Sequence, residues 1–271
     1  MKDVKRDPDK RLAGRICLLM GGGSSAAEGG HSNGQAVALT FARHGATVVV
    51  VDMKLAAAEE TVRQVLAEGG RAVALQADVS QHAQVRAVVR QAVERYGRID
   101  ILYNNVGIEV RGGVGDTSEE DWDRVYDVNL KSVFLTCKEV LPHMERQGGG
   151  AIVNVSSTAS LRWTTVEFIS YNTSKAALNH LTRVMARTYA PKGIRCNAIL
   201  PGMIDTPHIR TLFRDKTPEE FAAILAERNS RCPMGRQGSC WDVANAALFL
   251  VSDEAAYISG VLLPVDGALS V

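Results

Sequence analysis

Short apolar runs recur along the chain, separated by longer stretches in which apolar side chains return every three or four positions. The runs Ile16–Met20, Thr47–Val51, Ala72–Leu75, Ile99–Tyr103, Ala151–Val155, Arg195–Leu200 and Val261–Pro264 predict strands. The first six are rich in Val, Ile and Leu and mostly do not alternate, the pattern of strands covered on both faces of a parallel sheet. The stretches between them predict helices over Gln35–Arg43, Leu55–Ala67, Ala83–Tyr96, Glu119–Met144, Tyr171–Tyr189 and Trp241–Leu250. Val85, Val88, Val89 and Val93 mark the buried stripe of the third. Gly45, Gly69, Gly97 and Gly193 stand just past helix ends, where a left-handed cap favours glycine.

Strand and helix in alternation predict a doubly wound α/β fold with right-handed crossovers. No tandem repeat, low-complexity tract or Pro/Ser-rich linker divides the chain, so residues 1–271 are expected to form one domain. Residues 1–13 mix Lys and Arg with Asp and are expected to be a flexible arm. The stretch from about Met203 to Gly238, carrying Pro207, Pro218 and Pro233, departs from the pattern. It is read as a substrate-binding loop region, with a peripheral helical excursion as the alternative.

Composition removes several classes of function. With 31 basic and 30 acidic side chains the net charge is +1, so no general attraction to nucleic acid or an anionic membrane is expected. Five scattered cysteines form no CxxC pair, and the six histidines show no metal-ligand spacing, so neither a disulfide framework nor a metal site is expected. No apolar run approaches the roughly 20 residues of a membrane span, and the N-terminus has no signal-like stretch. A cytoplasmic location is the expectation.

The first predicted strand runs into Gly21-Gly22-Gly23, then small residues, then Ser32-Asn33-Gly34 and a helix. Such a turn lets backbone N–H groups approach a pyrophosphate at a helix N-terminus. Asp52 closes the second strand 18 residues after Gly34, near the spacing at which a carboxylate accepts ribose hydroxyls. An N-cap for the next helix is the lesser alternative, given the preceding glycine loop. Asp78 follows the third strand, where it suits either an adenine amino group or a plain turn. Tyr171 is the one tyrosine among six with Lys four residues on, and Tyr171 and Lys175 share a helix face. A free phenol ionises near pH 10, and a neighbouring ammonium stabilises its phenolate. Ser156 and Ser157 end the fifth predicted strand, and Asn129 sits in a helix interior, where it can disturb the hydrogen-bond ladder or face solvent. Trp163 and Trp241 read as packing residues.

In this order the residues resemble the short-chain dehydrogenase/reductase family, from about Gly14 to Gly267. Gly21 and Gly34 match the ends of its glycine turn, and Asp78-Val79 its adenine contact. Asn104-Asn105-Val106-Gly107 resembles the segment that lines the cofactor, and Asn129 the active-site asparagine. Ser157, Tyr171 and Lys175 match its catalytic Ser and YxxxK. Pro201-Gly202 with Ile204 and Thr206 resembles the stretch that holds the nicotinamide carboxamide. Ser32 replaces the middle glycine, Met20 replaces the usual Thr, and the turn is seven residues longer than the family pattern. The separation of Ser157 from Tyr171 is one residue longer than usual.

The resemblance implies a Rossmann-like seven-stranded parallel sheet in the order 3-2-1-4-5-6-7, and a homotetramer. It implies hydride exchange between NAD and a secondary alcohol or ketone, possibly a cyclic alcohol, diol or sugar. Tyr171 would move the proton, Lys175 hold the ribose, Ser157 bind the substrate oxygen and Asn129 support a water-linked proton path. Gly21, Ser32, Asn33, Gly34, Asp52, Asp78, Val79, Asn105, Gly107, Pro201, Ile204 and Thr206 would join Tyr171 and Lys175 around the cofactor. An enoyl-type reductase and a non-catalytic nucleotide sensor are the alternatives. The substrate pocket is expected from Glu109–Val114, Arg162–Glu167 and Met203–Arg231, with Arg162, Trp163 and Arg210 as candidate contacts.

Overall fold

The computed structural model describes residues 10–23, 30–163 and 166–271. Strands β1 (Ile16–Met20), β2 (Thr47–Asp52), β3 (Arg71–Gln76), β4 (Ile101–Asn104), β5 (Gly150–Val155) and β6 (Ile194–Pro201) appear in sequence. Two-residue strands β7 (Ile204–Asp205) and β8 (Gly238–Ser239) pair with each other, and β9 (Leu262–Val265) comes last. All seven longer strands form one parallel sheet in the order β3-β2-β1-β4-β5-β6-β9. This is a Rossmann-like α/β fold in the expected strand order. β4 begins two residues later than its apolar run because Asp100 turns its buried carboxylate onto the Ile16 N–H (2.8 Å) and Arg98.

Helices α1 (Asn33–Arg43), α2 (Leu55–Ala67), α3 (His82–Tyr96), α4 (Glu119–Tyr126), α5 (Ser132–Arg146), α6 (Ile169–Tyr189), α7 (Pro207–Leu212), α8 (Pro218–Arg231) and α9 (Cys240–Val251) cover the two faces and the rim. α1 and α9 pack over one face, where the ring of Phe41 meets Tyr103 edge-on at 6.0 Å. α3, α5 and α6 cover the other through Val88, Val140, Met144 and Leu178. Burying each such side chain stabilises the fold by about 1.5–3 kcal/mol. A buried polar ladder crosses this second face. Thr136 donates to Asn104 Oδ1 (2.8 Å), Asn104 to Asn154 Oδ1 (2.9 Å) and Asn154 to Thr182 Oγ1 (2.9 Å), joining α5 to α6 through β4 and β5.

Three local expectations change. Leu12, assigned to the N-terminal arm, is 1% exposed, and its N–H donates to His44 O at 2.9 Å. Residues 10–13 are therefore part of the packed fold, while the remainder of the proposed arm lies outside the described residues. The single helix expected over Glu119–Met144 is interrupted by a π-helical turn, Asp127–Lys131, centred on Asn129. The stretch after Met203 is the helical excursion rather than an irregular loop. A capping box starts α8, with the Thr217 hydroxyl on the Glu220 N–H and the Glu220 carboxylate on the Thr217 N–H. Pro218 stands at the helix start, where its missing N–H costs nothing. α8 buries none of its residues, and the β7–β8 pair closes the base of the excursion.

Candidate active site

The sheet order reverses between β1 and β4, and in open α/β sheets the crevice beyond the strand ends at that point is where ligands bind. A cavity of about 460 Å³ opens there.

The glycine turn lies beneath the cavity, and Ser32 and Asn33 at its end reach the wall. Gly21 has φ +82°, and its N–H donates to Val51 O at 2.8 Å. A Cβ on Gly34 would stand 2.1 Å from Gly21 O, so only glycine lets α1 start against the turn. Asn105 Nδ2 donates to that same Gly21 oxygen at 2.8 Å, which ties the segment after β4 to the turn. Ser32, in place of a glycine, caps α1: its Oγ accepts from Gln35 N (3.1 Å) and donates to Gly23 O (3.1 Å). Ser32 and Asn33 bring the positive end of α1 to the cavity, and the buried Asn33 Oδ1 has no hydrogen-bond partner among the described residues. The stretch from Gly22 to His31, read as an extended turn, lies partly outside the described residues.

Asp52 ends β2 with one oxygen on the Gly23 N–H and the other on the Lys54 N–H, both at 3.0 Å. It belongs to the turn, yet each oxygen keeps a lone pair for another donor. Asp78 closes a tight turn, its Oδ1 taking the Ser80 N–H (2.9 Å) and hydroxyl (2.7 Å). The Val79 side chain is buried in the core behind it. Gly21, Gly34, Asp52, Asp78 and Val79 thus lie outside the cavity wall itself, beneath the turn or toward the β2 and β3 edge.

Tyr171, Lys175 and Ser157 come together on that wall. α6 is anchored just before Tyr171, where Gly112 and Phe168 form a β-bridge and the Ile169 N–H donates to Gly112 O at 3.1 Å. The Lys175 ammonium is 2% exposed, donates to Val155 O at 2.8 Å and lies 5.8 Å from the centre of the Tyr171 ring. Burial brings the Lys175 ammonium down to about 8 and pushes the Tyr171 phenol up to about 12. The Ser157 hydroxyl pulls Tyr171 back down, and the Glu109 carboxylate pushes it up. Both serines line the cavity, but Ser156 is buried with its Oγ donating to Lys175 O (3.2 Å), and Ser157 is the one whose hydroxyl bonds Tyr171.

Asn129 is fully buried. Its Oδ1 accepts from Ile108 N (2.8 Å), and its Nδ2 donates to Ile108 O (2.9 Å) and to Ser174 Oγ (3.1 Å). Both amide hydrogens are engaged, so the side chain holds the segment after β4 against α6 and has no donor left for a water chain. Gly107 sits between: a Cβ there would come within 3.0 Å of Lys175 Nζ. Pro201, Ile204 and Thr206 form the far side, and Thr206 makes no side-chain cap although it stands at the N-cap of α7.

A family model described as Enoyl-(Acyl carrier protein) reductase matches residues 27–270. A solved structure described as a short-chain dehydrogenase/reductase from Burkholderia xenovorans superposes with a TM-score of 0.92 at 41% identity, over 96% of this chain and 98% of that one. The chain belongs to the short-chain dehydrogenase/reductase family. Among curated members it is 37% identical to the 3-oxoacyl-[acyl-carrier-protein] reductase FabG of Thermotoga maritima, over 96% of this chain and 99% of the relative. It is 36% identical to the 2,5-dichloro-2,5-cyclohexadiene-1,4-diol dehydrogenase LinX of Sphingobium indicum, over 96% and 98%. Its relatives in the family are oxidoreductases acting on CH–OH groups, and the family uses a nicotinamide cofactor. The glycine cradle at Gly34, the positive end of α1 and the unpartnered Asn33 oxygen fit such a dinucleotide. Among the described residues no helix is long and apolar enough to cross a membrane.

The substrate half of the cavity differs from expectation. Arg162 lies outside it, bonded to Leu269 O, and the exposed Arg210 lies over the Phe221 ring at 5.4 Å. Trp163 is 72% exposed and packs no core, whereas Trp241 lies between His31 and Arg43. The charged groups on the wall are Glu109, Arg111, Lys175, His208, Arg228 and Arg231. Arg228 and Arg231 stand three apart at the end of α8, a spacing legible only once that helix is recognised. Its Thr-Pro-Glu-Glu start was the available signal.

Proposed function

We propose that this short-chain dehydrogenase/reductase interconverts a secondary alcohol and its ketone with NAD as cofactor. The observation that carries the reading is the grouping of the Tyr171 hydroxyl and Ser157 at a cavity wall over the buried Lys175 ammonium. The bound cofactor supplies hydride exchange at the substrate carbon. Tyr171 takes the alcohol proton in one direction and returns it in the other. Lys175 lowers the cost of the Tyr171 phenolate by its charge and holds the nicotinamide ribose. Ser157 donates to the substrate oxygen and fixes the carbon it carries, so proton and hydride transfer share one orientation. Asn129 positions the segment after β4 and α6 rather than touching the substrate.

Pro201, Ile204 and Thr206 would hold the nicotinamide end; Gly21, Ser32, Asn33, Gly34, Asn105 and Gly107 the pyrophosphate and inner ribose. Asp52, Asp78 and Val79 would hold the adenosine end, Asp52 giving NAD its advantage. A relative that acts on a cyclic diol supports starting from cyclic alcohols. Exposed Phe134 on α5 and Val184 on α6 support a homotetramer joined through these helices. The test is NAD reduction across secondary alcohols and cyclic diols, with Tyr171→Phe as control and an enoyl thioester with NADH as the competing reaction. Turnover of the enoyl thioester alone would replace this reading with enoyl reduction.

A further inference from the structure

We infer that the substrate carries an anionic group, such as a carboxylate, sulfonate or phosphate, at the end away from its reacting carbon, and that Arg228 and Arg111 bind that group. This deepens the reading above and rests on it for the chemistry at Tyr171. Among the described residues the wall carries the guanidiniums of Arg111 and Arg228 against one carboxylate, Glu109. His208 Nε2 stands 3.3 Å from Glu109 Oε1, so that carboxylate already has a neighbour. Asp205, the other carboxylate acting on Arg228, is exposed and outside the cavity wall. The cavity therefore presents an excess of positive charge.

Arg228 is built into its place. Its Nε donates to Gln237 Oε1 at 2.6 Å, and the buried Gln237 is held in turn by Asn229 Oδ1 on its N–H at 3.0 Å. These partners are neutral amides, so they orient the guanidinium without neutralising it. Its terminal nitrogens, which form the fork that suits a two-oxygen anion, make no hydrogen bond to a described residue. Burial lowers the affinity of Arg228 for its proton, as expected for a guanidinium partly taken from water without an ion partner. An anionic ligand would supply that partner. Arg111, also on the wall, is exposed and has no hydrogen-bond or ion-pair partner among the described residues. The wall also presents Ile209, Leu212, Phe213 and Phe168, so the body of the ligand is apolar.

The experiment measures binding of cyclohexanecarboxylate and of neutral, isosteric cyclohexanecarboxamide to the full chain saturated with NADH, by calorimetry. The carboxylate is expected to bind at least about tenfold more tightly, a gap of roughly 1.4 kcal/mol. Arg228→Gln should abolish the preference, Arg228→Lys restore part of it, and Arg111→Gln reduce it. Raising salt should weaken the carboxylate alone. If Arg228→Gln unfolds, the exposed Arg111→Gln and the salt series decide. Equal binding of amide and carboxylate, or a preference indifferent to both Arg111→Gln and salt, overturns the anion site. NAD reduction by 4-hydroxycyclohexanecarboxylate and its amide separates the two readings. Equal turnover of both overturns the anion site and leaves the dehydrogenase standing. Charge-selective binding without turnover of either supports the anion site and counts against the dehydrogenase.

Discussion

Lys175 Nζ lies 5.8 Å from the centre of the Tyr171 ring, and its short hydrogen bond runs to the main-chain oxygen of Val155. The ammonium is thus fixed by the end of β5, not by the phenol. A charge held at that distance can only favour the phenolate over the phenol.

Tyr171→Phe removes the hydroxyl and keeps the ring that meets Phe168 at 6.4 Å. Folding and NADH binding should survive, while kcat falls by at least about 10²-fold. Steady-state kinetics beside an NADH fluorescence titration check this. Unchanged kcat would remove Tyr171 from the mechanism.

Two substitutions should move the pH profile of alcohol oxidation in opposite directions. Burial is the main force holding the Tyr171 phenol up at about 12, Ser157 opposes it and Glu109 adds to it. Oxidation uses the phenolate, so kcat/KM rises with pH toward the tyrosine pKa as the cofactor-bound site sets it. Glu109→Gln removes a negative charge and should move the rise to lower pH. Ser157→Ala removes a donor to the phenolate and should move it to higher pH, with a lower plateau. Shifts of the same sign would show that neither group acts through Tyr171.

Lys175 also predicts how stability depends on pH. Burial lowers its pKa from 10.5 to about 8 in the folded, cofactor-free protein. Between those values the unfolded chain binds more protons, so stability rises with pH across that window. Below about pH 8 both states hold the proton and the penalty is constant. The urea midpoint of the wild type should therefore climb relative to that of Lys175→Met between pH 8 and 10.5. Parallel midpoints across the window would contradict the assignment.

The carboxylate of Asp52 predicts cofactor choice. A 2′-phosphate would set negative charge beside it, and two unit charges at about 4 Å repel by roughly 4 kcal/mol at an effective dielectric of 20. Lys54 is the nearby cation in sequence, and Asp52 takes its N–H. NAD should exceed NADP by at least about a hundredfold in kcat/KM, and Asp52→Ala should narrow the gap mainly by weakening NAD. Comparable kcat/KM for both cofactors in the wild type would make Lys54 a phosphate ligand instead.

A matched pair of glycines tests the turn. Gly34→Ala would drive a Cβ to 2.1 Å from Gly21 O, whereas a Cβ on Gly97 meets nothing within 4 Å. Gly34→Ala should weaken NADH binding by at least tenfold, on the order of 1.4 kcal/mol. Gly97→Ala, with φ +75°, should cost only about 1 kcal/mol of stability and leave NADH affinity intact.

The strands β1, β2, β4, β5 and β6 were legible because they are buried on both faces and read as continuous apolar runs, whereas the edge strands β3 and β9 are only partly buried. Tyr171 and Lys175 were legible for a different reason, since helical spacing alone fixes their shared face. Asn129 was visible as an oddity, but its role was not: the partners that engage it lie at Ile108 and Ser174, 21 and 45 residues away. The same limit hid the Thr136–Asn104–Asn154–Thr182 ladder, whose members look unremarkable one at a time. Arg162 and Arg210 were plausible pocket residues by position, yet side-chain direction sends one to Leu269 and the other over Phe221. α8 was legible only as an alternative, a helical excursion without bounds, because it buries no residue and so leaves no apolar stripe to read.

That absence of a stripe has an evolutionary side. Tyr171, Lys175 and Asn129 are braced by the sheet, so most changes near them would disturb folding and chemistry together. α8 is specified by its own caps and is fastened mainly at its C-terminal end through Arg228, Asn229 and Gln237. Substitutions along its outer turns should therefore be close to neutral for stability. Mutational drift can accumulate there and offer new ligands to an unaltered hydride-transfer site, so selectivity can diverge while the reaction is inherited unchanged.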